Sequence, residues 1–382
     1  MDENHRYLEF LRYCLDERAT VPSCVEGMDW DALYLFARNQ TVVATYWRGI
    51  ERLSTTTDVK LSESSVLNWM ARYKKIEKDS RAAYKNAAWV WNNFRREGFR
   101  SCLLKGQGNA LLYPSPFLRT PGDIDIWVEG GDEKVIAYVD TVIPRMKRVY
   151  HHIEFISVGK TPIEVHYRPA WMSNPVHNRR LQRWFEAHAE ACFSNMCDEW
   201  GFCAPTREFN TVYLLAHIYN HLIREGVGLR HVVDYYHLLS SYPEGTPKPG
   251  AGELERLGLL KMAGAMMWVL HHVLGLPEEK LLCAPNERIG RMFLNEILEG
   301  GNFGKFDHRA MGGEQQAPVK HNLKVLMRDA RLLAFSLQSA CGSLGSGCGT
   351  GYGGNGTAVR DLEFFFIRNC YLFNFTIMFE YL

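Results

Sequence analysis

The apolar positions of this chain change period three times, and the changes divide it. Tyr7, Phe10, Leu11 and Leu15 recur at intervals of three and four, the spacing of an amphipathic helix. Trp30 to Arg38 repeats that spacing, with Leu33, Phe36 and Ala37 inward and Asp29 placed as its cap. Residues 51–62 are polar and read as a connection. A long helix is predicted from Ser64 to Glu97, stopping at Gly98. Its aromatic stripe, Trp69, Tyr73, Trp89, Trp91 and Phe94, reads as packing rather than a base-stacking surface. Residues 1–98 thus form an N-terminal helical region.

Over residues 99–170 the period drops toward two, as in half-buried strands. Strands are expected at Cys102–Leu104, Ile124–Val128, His152–Val158 and Ile163–Tyr167, the last two joined by a turn at Gly159-Lys160. A short helix, Gly108–Tyr113, is closed off by Pro114 and Pro116, and Asp132 is placed to cap a helix running to Ile143. Helical spacing returns in residues 171–340, through Phe209–Ile218, Val232–Leu239, the nearly all-apolar Met262–Leu274, and Leu323–Leu337. Residues 341–382 break the pattern: a Gly- and Ser-rich linker (341–356), then an aromatic tail whose uncharged run is too short to span a bilayer. The fold class expected is α+β, a small mixed sheet flanked by helical regions on both sides.

Composition narrows the function classes. The chain has 382 residues, 46% hydrophobic and 23% charged, enough for a large core. A formal net charge of +1 argues against a dedicated binder of long nucleic acid. The ten cysteines lack CxxC or zinc-ligand spacing, as in a reducing compartment. The opening Met-Asp-Glu-Asn-His-Arg has no signal-peptide character, so a cytoplasmic protein is expected.

The chemistry concentrates between Cys102 and Val128. Residues two apart on a strand share a face about 7 Å apart, so Asp123 and Asp125 point one way while Ile124 and Ile126 anchor the other. Two carboxylates so placed can reach one hard divalent cation. Glu164 and His166 share a face of the later strand by the same rule. If that strand pairs beside Ile124–Val128, Glu164 becomes the third acid. Each acid is expected to act through its charge alone, so Asp123→Asn or Asp125→Asn should leave the fold intact.

Lys105-Gly106, a short helix, Arg119, Gly-Asp-Ile-Asp and a later Glu-Val-His strand together resemble the nucleotidyltransferase superfamily, which includes polymerase beta and the aminoglycoside nucleotidyltransferases. The nearest likeness is to a bacterial branch with Leu-Lys-Gly, Arg-x-x-x-Asp-Ile-Asp and Glu-x-His signatures. It covers roughly residues 95–300, including Leu-Leu-Ala-His at 214–217 and Leu-Arg-His-Val-Val-Asp at 229–234. The resemblance implies that Asp123, Asp125 and Glu164 hold two Mg2+ (or Mn2+) ions. It implies an NTP donor such as ATP, received at Lys105, Gly106 and Gly108 with charge from Arg119. It also implies transfer of a nucleoside monophosphate to a hydroxyl acceptor, chosen by the helical region 171–340. Many members carry Gly-Ser at this turn; Lys-Gly here removes a hydroxyl contact to phosphate.

Plainer readings stand beside these. His166 could orient a carboxylate or substrate, or simply pack. Lys105 and Arg119 could be solvated, and Arg179, Arg180 and Arg183 read as an exposed helix face. His217 and His221 share a helix face but lack a third zinc ligand, so no structural zinc is expected. Arg230 and Asp234, four apart, either pair along their helix or face the cleft. Near-neutral charge favours a small molecule or protein acceptor over RNA. The alternatives are a non-catalytic binding or regulatory protein on the same fold, and a toxin-like modifier of tRNA or a partner protein.

Overall fold

The computed structural model describes residues 3–224 and 226–301. The helix expected at Leu323–Leu337 and the segment 341–382 lie outside them. Four helices come first: α1 (Glu3–Leu15), α2 (Trp30–Asn39), α3 (Val43–Thr56) and α4 (Glu63–Arg96). Asp29 caps α2, accepting from the amides of Asp31 and Ala32. Ser62 caps α4 by accepting from Ser65, and Gly98 leaves it with φ +79°. Of the aromatic stripe, Trp69, Trp91 and Phe94 are buried and Trp89 is exposed.

The polar stretch 51–62 is not a simple connection. Its first six residues finish α3, whose inner face is Val43, Tyr46, Trp47, Ile50 and Leu53. The hydroxyls of Ser54 and Thr55 return to the carbonyls of Glu51 and Arg52 at 2.8 Å. Polar residues here are the solvent face of a helix, and Leu53 alone marks its buried side.

The central sheet contains β1 (Ser101–Leu103), β2 (Ile124–Val128), β3 (His152–Val158) and β4 (Thr161–His166), in the order β1-β2-β4-β3. β2 runs antiparallel to β1 and parallel to β4, and β3 is antiparallel to β4. The sheet is therefore mixed. Asp125 lies directly opposite Glu164, and Trp127 opposite His166. One-turn α5 (Gln107–Ala110) follows β1, shorter than the helix expected at Gly108–Tyr113. Helix α6 (Gly131–Val142) starts after Gly130 at φ +125°, so Asp132 is not its cap. The Asp132 carboxylate instead accepts from Arg168 at 2.8 Å.

Helix α4 braces this sheet. Trp91 Nε1 donates to the Ser101 carbonyl (2.8 Å), Asn86 to that of Val158 (3.2 Å), and the Tyr84 hydroxyl to that of Gln107 (3.1 Å). The later region adds α7 (Pro175–Phe193), a small hairpin of β5 (Met196–Cys197) and β6 (Phe202–Cys203), α8 (Arg207–Arg224) and α9 (Leu229–Ser240). It ends with α10 (Ala251–Arg256), α11 (Leu260–Trp268), a π-helical turn at Val269–Val273, and α12 (Glu287–Gly300). The Arg179, Arg180 and Arg183 side chains are exposed on α7.

β2 departs from the half-buried strand expected. All five of its residues are buried, Asp125 included. The reason is α8: Phe209 stacks on Trp127 with ring centroids 5.4 Å apart, covering the acid face. Helices before and after the sheet share one continuous apolar core with it, from Tyr7 to Ile297.

Candidate active site

Parallel pairing of β2 and β4 brings Asp125, Glu164 and His166 to one face of the sheet. Asp125 Oδ1 lies 3.0 Å from Lys105 Nζ and 2.9 Å from His166 Nε2. Its other oxygen, Oδ2, is buried without a hydrogen-bond partner among the described residues. Glu164 Oε2 is 3.4 Å from His166 Nε2 and 3.4 Å from His152 Nδ1. Asp123 stands one step toward solvent, its side chain 37% exposed and 3.7 Å from Lys105. The pairing on which Glu164's role depended in the sequence is present.

These charges reshape one another. Burial pushes the Lys105 ammonium toward losing its proton, but the Asp123 and Asp125 carboxylates outweigh burial and raise its pKa. Burial likewise disfavours charged His166, yet its hydrogen bonds to Asp125 and Glu164 raise it to about 9. Burial pushes Glu164 up; the His166 hydrogen bond and the Lys105 charge hold it at about 2. Burial also separates the two aspartates: the Asp125 side chain is fully enclosed, whereas that of Asp123 is 37% exposed.

The turn before α5 is built on glycine. Gly106 has φ +64° and ψ −115°, and a Cβ there would meet the Asp123 carbonyl at 3.3 Å. At Gly108 a Cβ would come within 2.7 Å of the Leu103 carbonyl. Glycine thus lets the turn lie against both strands, with Lys105 between the acids.

Arg119 is engaged across the fold. Its Nε and Nη2 donate to the two carboxylate oxygens of Asp234 on α9, at 2.8 and 2.9 Å. The Tyr113 hydroxyl donates to Asp234 as well, at 2.7 Å. Burial opposes charge on Asp234, but Arg119 outweighs it and lowers the carboxyl's pKa. Arg230 Nη1 donates to the Thr120 carbonyl at 3.3 Å. Arg230 and Asp234 both face the cleft, one of the two readings their spacing allows.

The cleft has an empty volume of about 410 Å³. Lys105, Gly106, Asn109 and Asp123 line its sheet side, and His217, Arg230 and His231 its helical side. His217 and His221 lie with ring centroids 4.3 Å apart and His231 about 6 Å from each. Burial lowers the pKa of His217 and His231 well below the ordinary histidine value. Among the described residues, clustered metal-ligating atoms occur in Asp125–Glu164–His166 and His151–His152–His166, not around His217.

Several site residues escaped the sequence reading. Among the described residues, Asn109 is buried with neither amide atom partnered, and the Tyr213 hydroxyl of α8 is buried likewise. His152 stands opposite His166 because a β-bulge between Glu154 and Ser157 shifts the β3 register by one residue. Extending the hairpin from its turn without the bulge would place Tyr167 opposite His152. The His151-His152 pair was the one available signal.

A mixed-sheet core thus carries paired acids on adjacent strands, with a Lys-Gly bend beside them and a helical wall over the cleft. The chain belongs to the family described as "uncharacterised nucleotidyltransferase", whose model matches residues 26–275. No curated protein matches it. Among solved structures, it is similar to the crystal structure of an antigenic nucleotidyltransferase-like protein from Paracoccidioides brasiliensis. That protein is 11% identical, over 55% of this chain and 96% of its own, with a TM-score of 0.32. Among the described residues, no helix is long and apolar enough to cross a membrane.

Proposed function

We propose that the chain transfers a nucleoside monophosphate from an NTP, ATP being the first to test, to a hydroxyl-bearing acceptor in a divalent-metal-dependent reaction. The observation that carries this reading is the direct register of Asp125 against Glu164, with Asp123 at the cleft mouth and Lys105 between the aspartates. The donor set fits hard divalent cations: Asp125 and Glu164 bring carboxylate oxygens together, Asp123 adds a third carboxylate toward the cleft, and buried Asp125 Oδ2 has no hydrogen-bond partner among the described residues. Asp123, Asp125 and Glu164 would hold Mg2+ or Mn2+. When bound, such ions lower the pKa of an acceptor hydroxyl and neutralise the triphosphate.

In the reaction an acceptor oxygen bonds to the α-phosphorus. The bond from that phosphorus to the oxygen bridging toward the β-phosphate breaks. Pyrophosphate departs with the electron pair, and the hydroxyl proton passes to solvent. The protein's part is positioning and charge. Gly106 and Gly108 let the donor approach the backbone, and Lys105 supplies a fixed positive charge. Arg119, held by Asp234, ties the loop before β2 to the helical wall, and Arg230, donating to the Thr120 carbonyl, lines the cleft. His166 Nε2 lies against both Asp125 and Glu164. The wall of α8 and α9 selects the acceptor, for which the net charge of +1 favours a small hydroxylated molecule or a protein over RNA.

The test incubates the protein with each α-labelled NTP, Mg2+ or Mn2+, and cell extract. Label should pass to an extract component with wild type and not with Asp123→Asn. No transfer with any nucleotide or either metal overturns the reading. A second reading, a nucleotide-sensing module on the same fold, is favoured by Lys105, which already counters the charge of both aspartates. Nucleotide binding without transfer would support it.

A further inference from the structure

We propose that His166 is itself a metal ligand. Asp125, Glu164 and His166 then form a mixed oxygen–nitrogen centre that prefers a first-row transition ion, Mn2+ among them, over Mg2+. This rests on the reading that the acid site holds a divalent cation, though not on nucleotidyl transfer.

Geometry is the first argument. One ligand atom each from Asp125, Glu164 and His166 lie within 4.8 Å of one another. His166 Nε2 is 2.9 Å from Asp125 Oδ1 and 3.4 Å from Glu164 Oε2. Neighbouring ligands on bonds of about 2.0–2.2 Å, at angles between octahedral and tetrahedral, are about 2.8–3.6 Å apart. Both separations fall in that range.

The setting of the ring is the second argument. His166 is buried, and its Nδ1 lies 3.4 Å from the Arg168 carbonyl, so Nε2 faces the two acids. A ligating histidine is commonly held this way, one nitrogen on a carbonyl and the other presented to the ion. The same Glu164 oxygen also lies 3.4 Å from His152 Nδ1, an atom 3.1 Å from His151 Nε2. Within this group the enclosed Asp125 has an Oδ2 with no hydrogen-bond partner among the described residues. Asp123 is not part of it and faces Lys105 and the cleft instead.

Chemistry sets the preference. Mg2+ favours an all-oxygen shell, whereas imidazole nitrogen suits transition ions. One nitrogen among three protein donors shifts the centre toward the latter. The same contacts could serve a protonated imidazolium bonded to two carboxylates, and then no metal–nitrogen bond would form.

The experiment separates these. The full chain is loaded with one equivalent of Mn2+, and its electron spin-echo envelope is recorded for 14N modulation. Titrations with Mn2+, Zn2+ and Mg2+ follow by calorimetry. Wild type should show imidazole nitrogen coupling. His166→Gln should lose it and bind Mn2+ and Zn2+ about tenfold or more weakly, the loss that removing even an outer partner of a ligand produces. Its Mg2+ affinity should stay within about threefold, since no oxygen ligand is removed. Mn2+ bound to wild type without nitrogen coupling overturns the proposal, whether or not the variant folds. Equal losses for Mg2+ and Zn2+ in His166→Gln do so too. Failure of Mn2+ to bind sinks both this and the metal-dependent transferase. Nitrogen coupling without label transfer sinks the transferase alone.

Discussion

Replacing Asp234 by Asn tests how the cleft is held together. The Asp234 carboxylate and the Arg119 guanidinium are 4% and 5% exposed, and they meet through two charge-assisted bonds of 2.8 and 2.9 Å. Water therefore cannot take over either charge if the other is removed. Asparagine keeps the shape and still accepts from Tyr113, but leaves Arg119 buried without a counter-charge. Breaking such a pair from one side costs about 3–5 kcal/mol. The surviving Tyr113 bond and the nearby Asp123 place the expectation near the lower end, about 3 kcal/mol. Urea unfolding followed by circular dichroism measures it. With a slope of about 3 kcal/mol per molar, the midpoint should fall by about 1 M. The double variant Arg119→Met/Asp234→Leu should recover much of the loss, because neither charge then needs compensation. A single variant within about 0.5 kcal/mol of wild type would refute the reasoning, showing that solvent reaches the pair.

The other expectations follow the same physics. Asp123→Asn, at a half-exposed position, should abolish label transfer while changing stability by less than about 1 kcal/mol. Asp125→Asn should also abolish transfer but cost about 2–4 kcal/mol, since it leaves Lys105 and His166 without their shared buried partner; unfolding curves measured beside the transfer assay would expose an error in either assignment. Gly106→Ala forces a side chain into a glycine conformation at φ +64° and should cost about 1–3 kcal/mol, so an unshifted melting curve would count against the turn described. Burial holds His237 at about 4, against an ordinary 6.5, so the folded chain refuses a proton that the unfolded chain takes up. Its stability contribution is therefore present above pH 6.5 and is lost as pH falls toward 4, by about 3 kcal/mol in full. Urea midpoints measured from pH 7 to pH 4.5 should fall, and fall less steeply in His237→Gln.

Much was legible in the sequence where a local rule acts on adjacent residues. The strands at Ile124–Val128 and His152–Val158, the cap at Asp29 and the stop at Gly98 all follow from period, capping chemistry and glycine's freedom. The misreadings were local competitions decided elsewhere. The Ser-Thr run at the end of α3 looks like a connection until the core beneath Leu53 is in place. Asp132 looks like a cap until Arg168, brought near by the sheet, claims its carboxylate.

Taken by itself, the sequence determined that Asp123 and Asp125 project together and that Glu164 and His166 do likewise, because a strand repeats every two residues. Only the tertiary structure decided that the second pair meets the first. It also enclosed Asp125 while leaving Asp123 half open, and it turned Arg119 onto Asp234. A bulge decided that His166, not Tyr167, stands opposite His152. Backbone periodicity is carried by each residue's immediate neighbours. Register, burial and ion pairing are contacts between segments far apart in the chain, set by how the whole core closes.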